Sequence, residues 1–439
     1  MFLFAAASAH GQELEGPSYE FPFYDALLER DVFTGNWHGL RNQLIDNGIT
    51  VRSYYCTDIS GNPVGGLKKR MIYSGFMDVG VGFDFEKIAS IKGLDLTVGN
   101  QLASGNWLSS AVGNFFSVQE IYTPGNYFLG ELDLSLSLLD ETLTLEAGRL
   151  FAGDVFATSD LSLYYVNAGI NNYPGAMYCN ILFPAFNVAA WAARTTYEPN
   201  QEWSFVAAMY NADPRIQNPD NHGTYFSFAM NDGYLAIAQL TYSHAQKRED
   251  EGLPGSMTFG GYYQSSEFED LGDSTKRWNG NYGFFLLFDQ MINKGDWPQY
   301  KGPHHMRADA RKAERVKQPY VLHTVAPTDR PEGLTVWATA YLAPAEHINA
   351  ITYQLSGGLL FQGLPHQRDY DVTAFGVVLG NFSDELAGQS MEIVLELNHR
   401  FQICEWLYFT PDAQFVINPN GQDNTNNALV LGIEACVNF

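Results

Sequence analysis

Charge is scarce in this chain, and one sign is scarcer than the other. Only 17% of its 439 residues are Asp, Glu, Lys or Arg, against about 25% in an average soluble domain. Basic residues number 25 against 49 acidic ones, a formal charge of -24, and no nucleic-acid partner is expected of so acidic a chain. Long apolar runs are missing too: no stretch of about 18 uninterrupted apolar residues occurs, and mean hydropathy is -0.18, which excludes helical membrane spans. The four cysteines, Cys56, Cys179, Cys404 and Cys436, lack the close Cys-x-x-Cys spacing of a metal knuckle, so no metal is assigned to them. There is no H-E-x-x-H helix, G-x-S-x-G elbow or P-loop. The ten histidines are scattered, with only His304-His305 adjacent, and His399 reads as a turn or interface residue. These absences point away from an enzyme, and no cofactor is expected.

Aromatics are plentiful at 14%, with 41 glycines. A chain poor in charge, rich in aromatics and without a membrane helix enters a bilayer only as a closed barrel, because no strand edge can stay unpaired in hydrocarbon. Side chains alternate across a strand, and the chain alternates repeatedly. Met77, Val79, Val81 and Phe83 oppose Asp78, Gly80, Gly82 and Asp84. Leu132, Leu134, Leu136 and Leu138 oppose Glu131, Asp133, Ser135 and Ser137. Met391, Ile393, Leu395 and Leu397 oppose Glu392, Glu396 and Asn398. The last segment puts Leu429, Leu431, Ile433, Ala435, Val437 and Phe439 on one face and Gly432, Glu434, Cys436 and Asn438 on the other. Dyad-period segments of about ten residues separated by turns are the signature of outer-membrane strands.

The expected organisation has three parts. Residues 1–9 read as the tail of a signal peptide whose start lies upstream, with Ala7-Ser8-Ala9 as the small-x-small cleavage site. Residues 10–48 are a polar, aromatic lead followed by an amphipathic helix over Thr34–Gly48, with Trp37, Leu40, Leu44 and Ile45 on one face, Thr34 or Asn36 as cap and Gly48 as stop. Residues 49–439 form a transmembrane antiparallel β-barrel. Export places the cysteines in an oxidising compartment, where four allow three connectivities. Links alternate in length: Ala89–Gly93, Leu139–Thr142, Glu198–Gln201 and Gln402–Glu405 are short, while Asn106–Gly125 and Ala157–Pro184 are long. Counting alternating segments gives seventeen strands, one too many for a bacterial barrel, with the surplus between Asn231 and Glu332. The basic stretch Lys294–Arg330 lies there, and its side of the membrane is left open.

Gly35-Asn36-Trp37-His38-Gly39-Leu40-Arg41, Leu44 and Gly48-Ile49 resemble the G-x-W-x-G-x-R-x-x-L-x-x-x-G-I opening of the carbohydrate-selective porins, typified by the glucose porin of pseudomonads. Phe156-Ala157-Thr158-Ser159, Asn281-Tyr282-Gly283, Asp289-Gln290, Leu395-Glu396-Leu397, Trp406-Leu407, Pro411-Asp412, Gln414-Phe415 and Ile417-Asn418-Pro419 are similar to further segments of that family, in order from about Gly35 to Phe439. The resemblance implies sixteen strands in the bacterial outer membrane and passive diffusion of small hydrophilic solutes, often sugars. It also implies that the barrel-insertion machinery reads the last strand, with Phe439 as an assembly signal. The long Lys294–Arg330 stretch and the four cysteines depart from the family pattern.

A porin constriction replaces part of a solute's hydration without holding the solute. The segment after Arg149, through Asp154, Phe156, Asp160, Tyr164, Tyr165, Asn167, Asn171 and Asn172, mixes carboxylates and amides with aromatics and is the best candidate; otherwise it is an outer lid. On the wall, Glu146, Glu392, Glu396, Asp412, Gln414 and Glu434 oppose the apolar rows and are expected to face the lumen. The acidic balance disfavours anions, unless Arg41, Arg149 or Arg194 lines the narrowest point. Sugars are therefore the first expectation and cationic amino acids such as arginine the alternative. A secreted soluble β-rich carbohydrate-binding protein is the competing class. Whether the channel is a monomer or a trimer is left open.

Overall fold

Strands with one lipid-compatible face bury no edge in a bilayer only when the first pairs with the last, and the computed structural model shows that closure. It describes residues 27–28, 30–122, 127–227, 229, 231–296, 330–364 and 368–439. The strands are β1 (Ile49–Val64), β2 (Met71–Asp84), β3 (Leu94–Gly105), β4 (Tyr127–Leu138), β5 (Leu143–Leu150), β6 (Ala190–Tyr197), β7 (Trp203–Asn211) and β8 (Tyr234–His244). They continue as β9 (Gly255–Glu269), β10 (Arg277–Lys294), β11 (Gly333–Leu342), β12 (Ile351–Gln362), β13 (Val372–Phe382), β14 (Met391–Cys404), β15 (Leu407–Ile417) and β16 (Ala428–Asn438). Each pairs with its neighbours in sequence, and β16 returns to β1 to close the ring. Sixteen strands among the described residues remove the surplus: between Asn231 and Glu332 three strands run, β8 to β10.

The two faces follow the alternation. On β16, Leu431 and Ile433 are exposed on the outside while Glu434 and Cys436 are buried inside. The same outward apolar row continues around the ring in Leu134, Phe205, Phe259, Phe284, Phe375, Leu397 and Phe415, all exposed. An apolar belt of this size is tolerable only against lipid. In contrast, the interior is filled. Three apolar clusters join inner-wall residues to loop residues, for example Phe156, Phe183 and Met177 with Tyr210, Tyr262 and Phe285, and Leu108, Phe116 and Tyr165 with Trp337, Val378 and Val394.

The rims differ. The start of β1 and the end of β16 lie on one of them, where β14 turns to β15 over Glu405 and Trp406 and β4 to β5 over Leu139 to Thr142. Lys294 and Gly333 pair on this same rim, so the basic stretch leaves and rejoins the barrel there; residues 297–329 lie outside the described residues, as do 1–26 with the signal-peptide reading. The opposite rim carries the longest described loops: residues 106–126, of which 106–122 are described, 151–189 and 212–233. Short turns mark the periplasmic side of such barrels and long loops the outer side.

The amphipathic helix is shorter than expected. Trp37 and His38 have φ of 48° and 57°, conformations outside the helical region, so the chain makes a 3₁₀ turn over Trp37–Gly39 and the helix α1 only begins at Leu40, running to Asp46. Thr34 takes no capping role; its hydroxyl accepts from the Arg41 guanidinium. Asn36 Oδ1 reaches past the turn to the Asn42 N–H at 3.0 Å. Leu40 stays half exposed, and α1 lies on the periplasmic rim, where Arg41 donates to the Phe439 carbonyl at 3.0 Å and Lys87 to that of Ile45. Phe439 donates its N–H to Ser53 O at 2.8 Å, and its ring meets Phe33, which in turn meets Trp406.

Of the three cysteine connectivities, the structure forms a single bridge, Cys56 to Cys436. These residues face each other in the β1–β16 register, so the disulfide ties the first strand to the last. Cys179 and Cys404 are free thiols.

Candidate functional site: a lumen narrowed by pinned loops

A loop carried into a barrel brings unpaired backbone N–H and C=O groups with it, each costly if buried alone. Inner-wall side chains satisfy them. Glu396 accepts from the consecutive N–H groups of Val166 and Asn167 at 2.8 and 2.9 Å. Glu392 does the same for Phe115 and Phe116 at 2.7 and 2.8 Å. Three glutamines work as two-sided clips, and a fourth holds from one side. Gln239 bonds Ala157 N and Val155 O, and Gln354 bonds Ala176 N and Gly169 O. Gln414 donates to Val118 O and accepts from the Asn167 amide, while Gln264 accepts from Leu182 N. Asn398 and Arg400 donate to Tyr164 O and Leu163 O. Loops 106–122 and 151–189 are thus held inside the ring from five strands of the wall, β8, β9, β12, β14 and β15.

Glycine supplies the space this needs. Gly358 and Gly376 face each other across β12 and β13, and a Cβ at either would collide with Tyr165. The Tyr165 hydroxyl rests there, donating to Phe375 O at 3.0 Å and accepting from the Trp337 indole at 3.1 Å.

The arginines weighed for the narrowest point are otherwise engaged. Arg194 makes a two-pronged pair with Glu146 at 2.7 and 2.8 Å and donates to Phe151 O. Arg149 donates to Tyr225 O and Ala189 O, both at 2.9 Å. Arg41 is on the periplasmic rim, well away from the lumen loops. The guanidinium that stays partly open is Arg52, which lies 3.6 Å from Asp78 and 3.8 Å from Glu131. Gly80 makes room for it, since a Cβ there would meet the guanidinium.

Carboxylates surround that point. Asp154 comes from loop 151–189 and Glu120 from loop 106–122. Burial pushes both carboxyls well above the usual range; Glu131 adds to the effect at Asp154, and Glu434 does so at Glu120. On the wall, Asp58, Glu434 and Thr410 form one row across β1, β16 and β15. Tyr408 donates to Glu434 at 3.0 Å, and Gln414 to Asp412 at 3.0 Å. Asp160 is exposed and, with Thr158, Gln239, Thr241, Asp289 and Arg330, lines a polar pocket of about 320 Å³. Asn167 and Asn171 are buried within the loop, Asn171 donating to Tyr165 O at 2.6 Å.

Sequence reasoning missed Arg52, Asp58, Asp78, Glu120, Glu131 and Arg400 as members of this group. The period-2 rule carried the information: Arg52, Tyr54, Cys56, Asp58, Ser60 and Asn62 form the inner row of β1. The outer row there, Ser53, Thr57 and Gly61 among Val51, Tyr55 and Ile59, is too mixed to stand out.

The family model of carbohydrate-selective porins, the OprB family, matches residues 68–439. Porin B of Pseudomonas aeruginosa is 24% identical, over 91% of this chain and 89% of its own. The putative porin QuiX of Acinetobacter baylyi is 22% identical over 94% of each chain. Among solved structures, Pseudomonas putida OprB at high pH is similar with a TM-score of 0.78 and 21% identity, covering 93% of this chain and 99% of that one. The closed ring of sixteen strands, the outward apolar belt and the match over most of its length place this chain in the carbohydrate-selective porin family of bacterial outer-membrane channels.

Proposed function

We propose that the channel passes sugars, or neutral solutes of similar size and polarity, down their gradient, and performs no chemistry on them. The carrying observation is the cluster of mixed charge on the inner wall, where Arg52 lies 3.6 Å from Asp78 and 3.8 Å from Glu131, with Asp154 and Glu120 supplied from the loops. A hydroxyl both donates and accepts, so a neutral polyol exchanges water for such mixed groups without a net charge to desolvate. In this reading Arg52, Asp58, Asp78, Glu120, Glu131, Asp154, Asp412 and Glu434 border the passage. Glu146, Arg149, Asn167, Asn171, Arg194, Glu392, Glu396 and Gln414 shape it by holding the loops. Asp160 belongs to the chamber on the periplasmic side of loop 151–189.

A second reading, a channel for cationic amino acids, is favoured by the row Asp58–Glu434 with Asp412, where carboxylates outnumber the nearby Arg400. Proteoliposome swelling separates the two. Neutral sugars are expected to enter fastest, arginine next and anions of equal size slowest; arginine outpacing the sugars would establish the second reading, and equal exclusion of all three would defeat both.

The terminal phenylalanine completes the proposal. Phe439 closes the last strand at the periplasmic rim, where the barrel-insertion machinery would read it. Replacing Phe439 by Ser is expected to lower the amount of folded barrel in the outer membrane, measured by heat-modifiable migration; wild-type levels would count against that role.

A further inference from the structure

On the outer side of the constriction lies a cavity of about 680 Å³, within the roughly 300–1,000 Å³ typical of small-ligand sites. Loops 106–122 and 151–189 form most of it, and Pro219 of loop 212–233 joins the rim. The Trp107 and Tyr122 rings lie nearly parallel, with centroids 6.0 Å apart and 4° between planes. The Trp107 indole N–H donates to Ser117 Oγ at 2.9 Å, which fixes the ring, yet Trp107 remains 39% exposed and Tyr178, also in the lining, 40%. Large aromatic surface is held open here, in loops that elsewhere bury theirs.

Polar side chains line the cavity as well, among them Ser117, Gln119, Glu120, Asn171 and Asn172. Asn171 is 1% exposed; its amide nitrogen donates to Tyr165 O, and its oxygen is buried without a protein partner. One oxygen of Glu120 is engaged by Asn172, and Oε2 has no protein partner. A ligand that suits these walls has a flat apolar face for the rings and hydroxyls for the polar groups beside them. A pyranose has both: its C–H face stacks on an aromatic ring, and its hydroxyls donate.

We infer that this cavity is a carbohydrate subsite on the outer side of the constriction, in which a sugar ring stacks on Trp107 beside the Glu120 and Asn171 side chains before it moves inward. The inference rests on the sugar-channel reading and adds a saturable step ahead of the passage. Occupancy of such a site makes uptake efficient at low outside concentration, where simple diffusion is slow.

The test uses the full chain in proteoliposomes and detergent, with maltose as probe. Wild-type protein is expected to bind maltose saturably by calorimetry and to show influx that saturates over the same concentrations. Trp107→Ala is expected to weaken binding by roughly tenfold, equivalent to about 1.4 kcal/mol, and Trp107→Phe to recover part of it. Potassium chloride conductance checks that each variant has assembled. Maltose binding in Trp107→Ala equal to wild type, or wild-type influx that stays linear with concentration, would overturn the subsite while leaving a sugar channel standing. Failure of maltose, and of smaller neutral sugars, to enter wild-type liposomes would remove the sugar reading itself and the subsite with it.

Discussion

Glu396 shows how one side chain sets the bore of a channel. Its two oxygens receive the N–H groups of Val166 and Asn167, and hydrogen bonds to charged groups contribute about 1.5–3 kcal/mol each. Glu396→Ala is expected to free that part of loop 151–189, raising single-channel conductance and admitting solutes that wild type excludes. Heat-modifiable migration should persist, because no strand pairing is altered; unchanged conductance would show that the loop is held adequately by Gln354, Asn398 and Arg400. The inward direction of Glu396 was legible from its place opposite Leu395 and Leu397. Its partners were not, because they lie 229 and 230 residues away in sequence and are backbone groups, which carry no sequence signature. The pairing of Arg194 with Glu146 escaped for a similar reason: it joins adjacent strands, and the register of β5 on β6 is not fixed by either strand alone.

At the scale of elements, the strands and the places of the long loops were legible, and the contacts that hold those loops were not. Strand identity depends on a local period, and the outer face meets lipid all around, so the apolar row repeats with little variation. Loop 151–189 depends on contacts with β8, β9, β12, β14 and β15, which no local pattern encodes. Helix α1 fell between, since the apolar face over Trp37 to Ile45 was real but two left-handed residues delayed its start. Loop 212–233 has its own electrostatic fastening. Asp213 accepts from the Arg215 guanidinium twice at 2.7 Å and from its N–H at 2.9 Å, and Arg215 continues to Asp232 at 3.0 Å. Burial pushes the Asp213 carboxyl up, but the Arg215 bonds together outweigh it and hold the group below its ordinary value of 3.8. A depressed carboxyl contributes stability above its unfolded pKa and loses it as pH falls through the folded one. Loop 212–233 should therefore keep its amide protection at neutral pH and lose it below about pH 4, read by hydrogen exchange. Asp213→Asn should show the weaker protection already at pH 7.

For the whole molecule, closure is both hydrogen-bonded and covalent. The β1–β16 seam is a full strand pairing, and Cys56–Cys436 adds a bond across a sequence separation of 380. Closing so long a loop limits the unfolded chain by on the order of 5 kcal/mol on a chain-entropy basis. Cys56→Ser is expected to keep the barrel and its conductance but lower its unfolding temperature in detergent. Boiled wild-type protein should migrate faster without reductant than with it, and the variant identically in both; equal migration of wild type would show that the bridge does not form.

That bond also changes what kind of object the pore is. Between Cys56 and Cys436 the polypeptide is a macrocycle, and loops 106–122 and 151–189 are folds of its own backbone tucked into its hole. The girth of the barrel is consequently set by primary structure as well as by strand pairing: its wall cannot admit another strand at the β1–β16 seam, or part there to release a molecule sideways into the bilayer, while the bridge is intact. A solute that crosses threads a ring, and it can leave only through the two mouths.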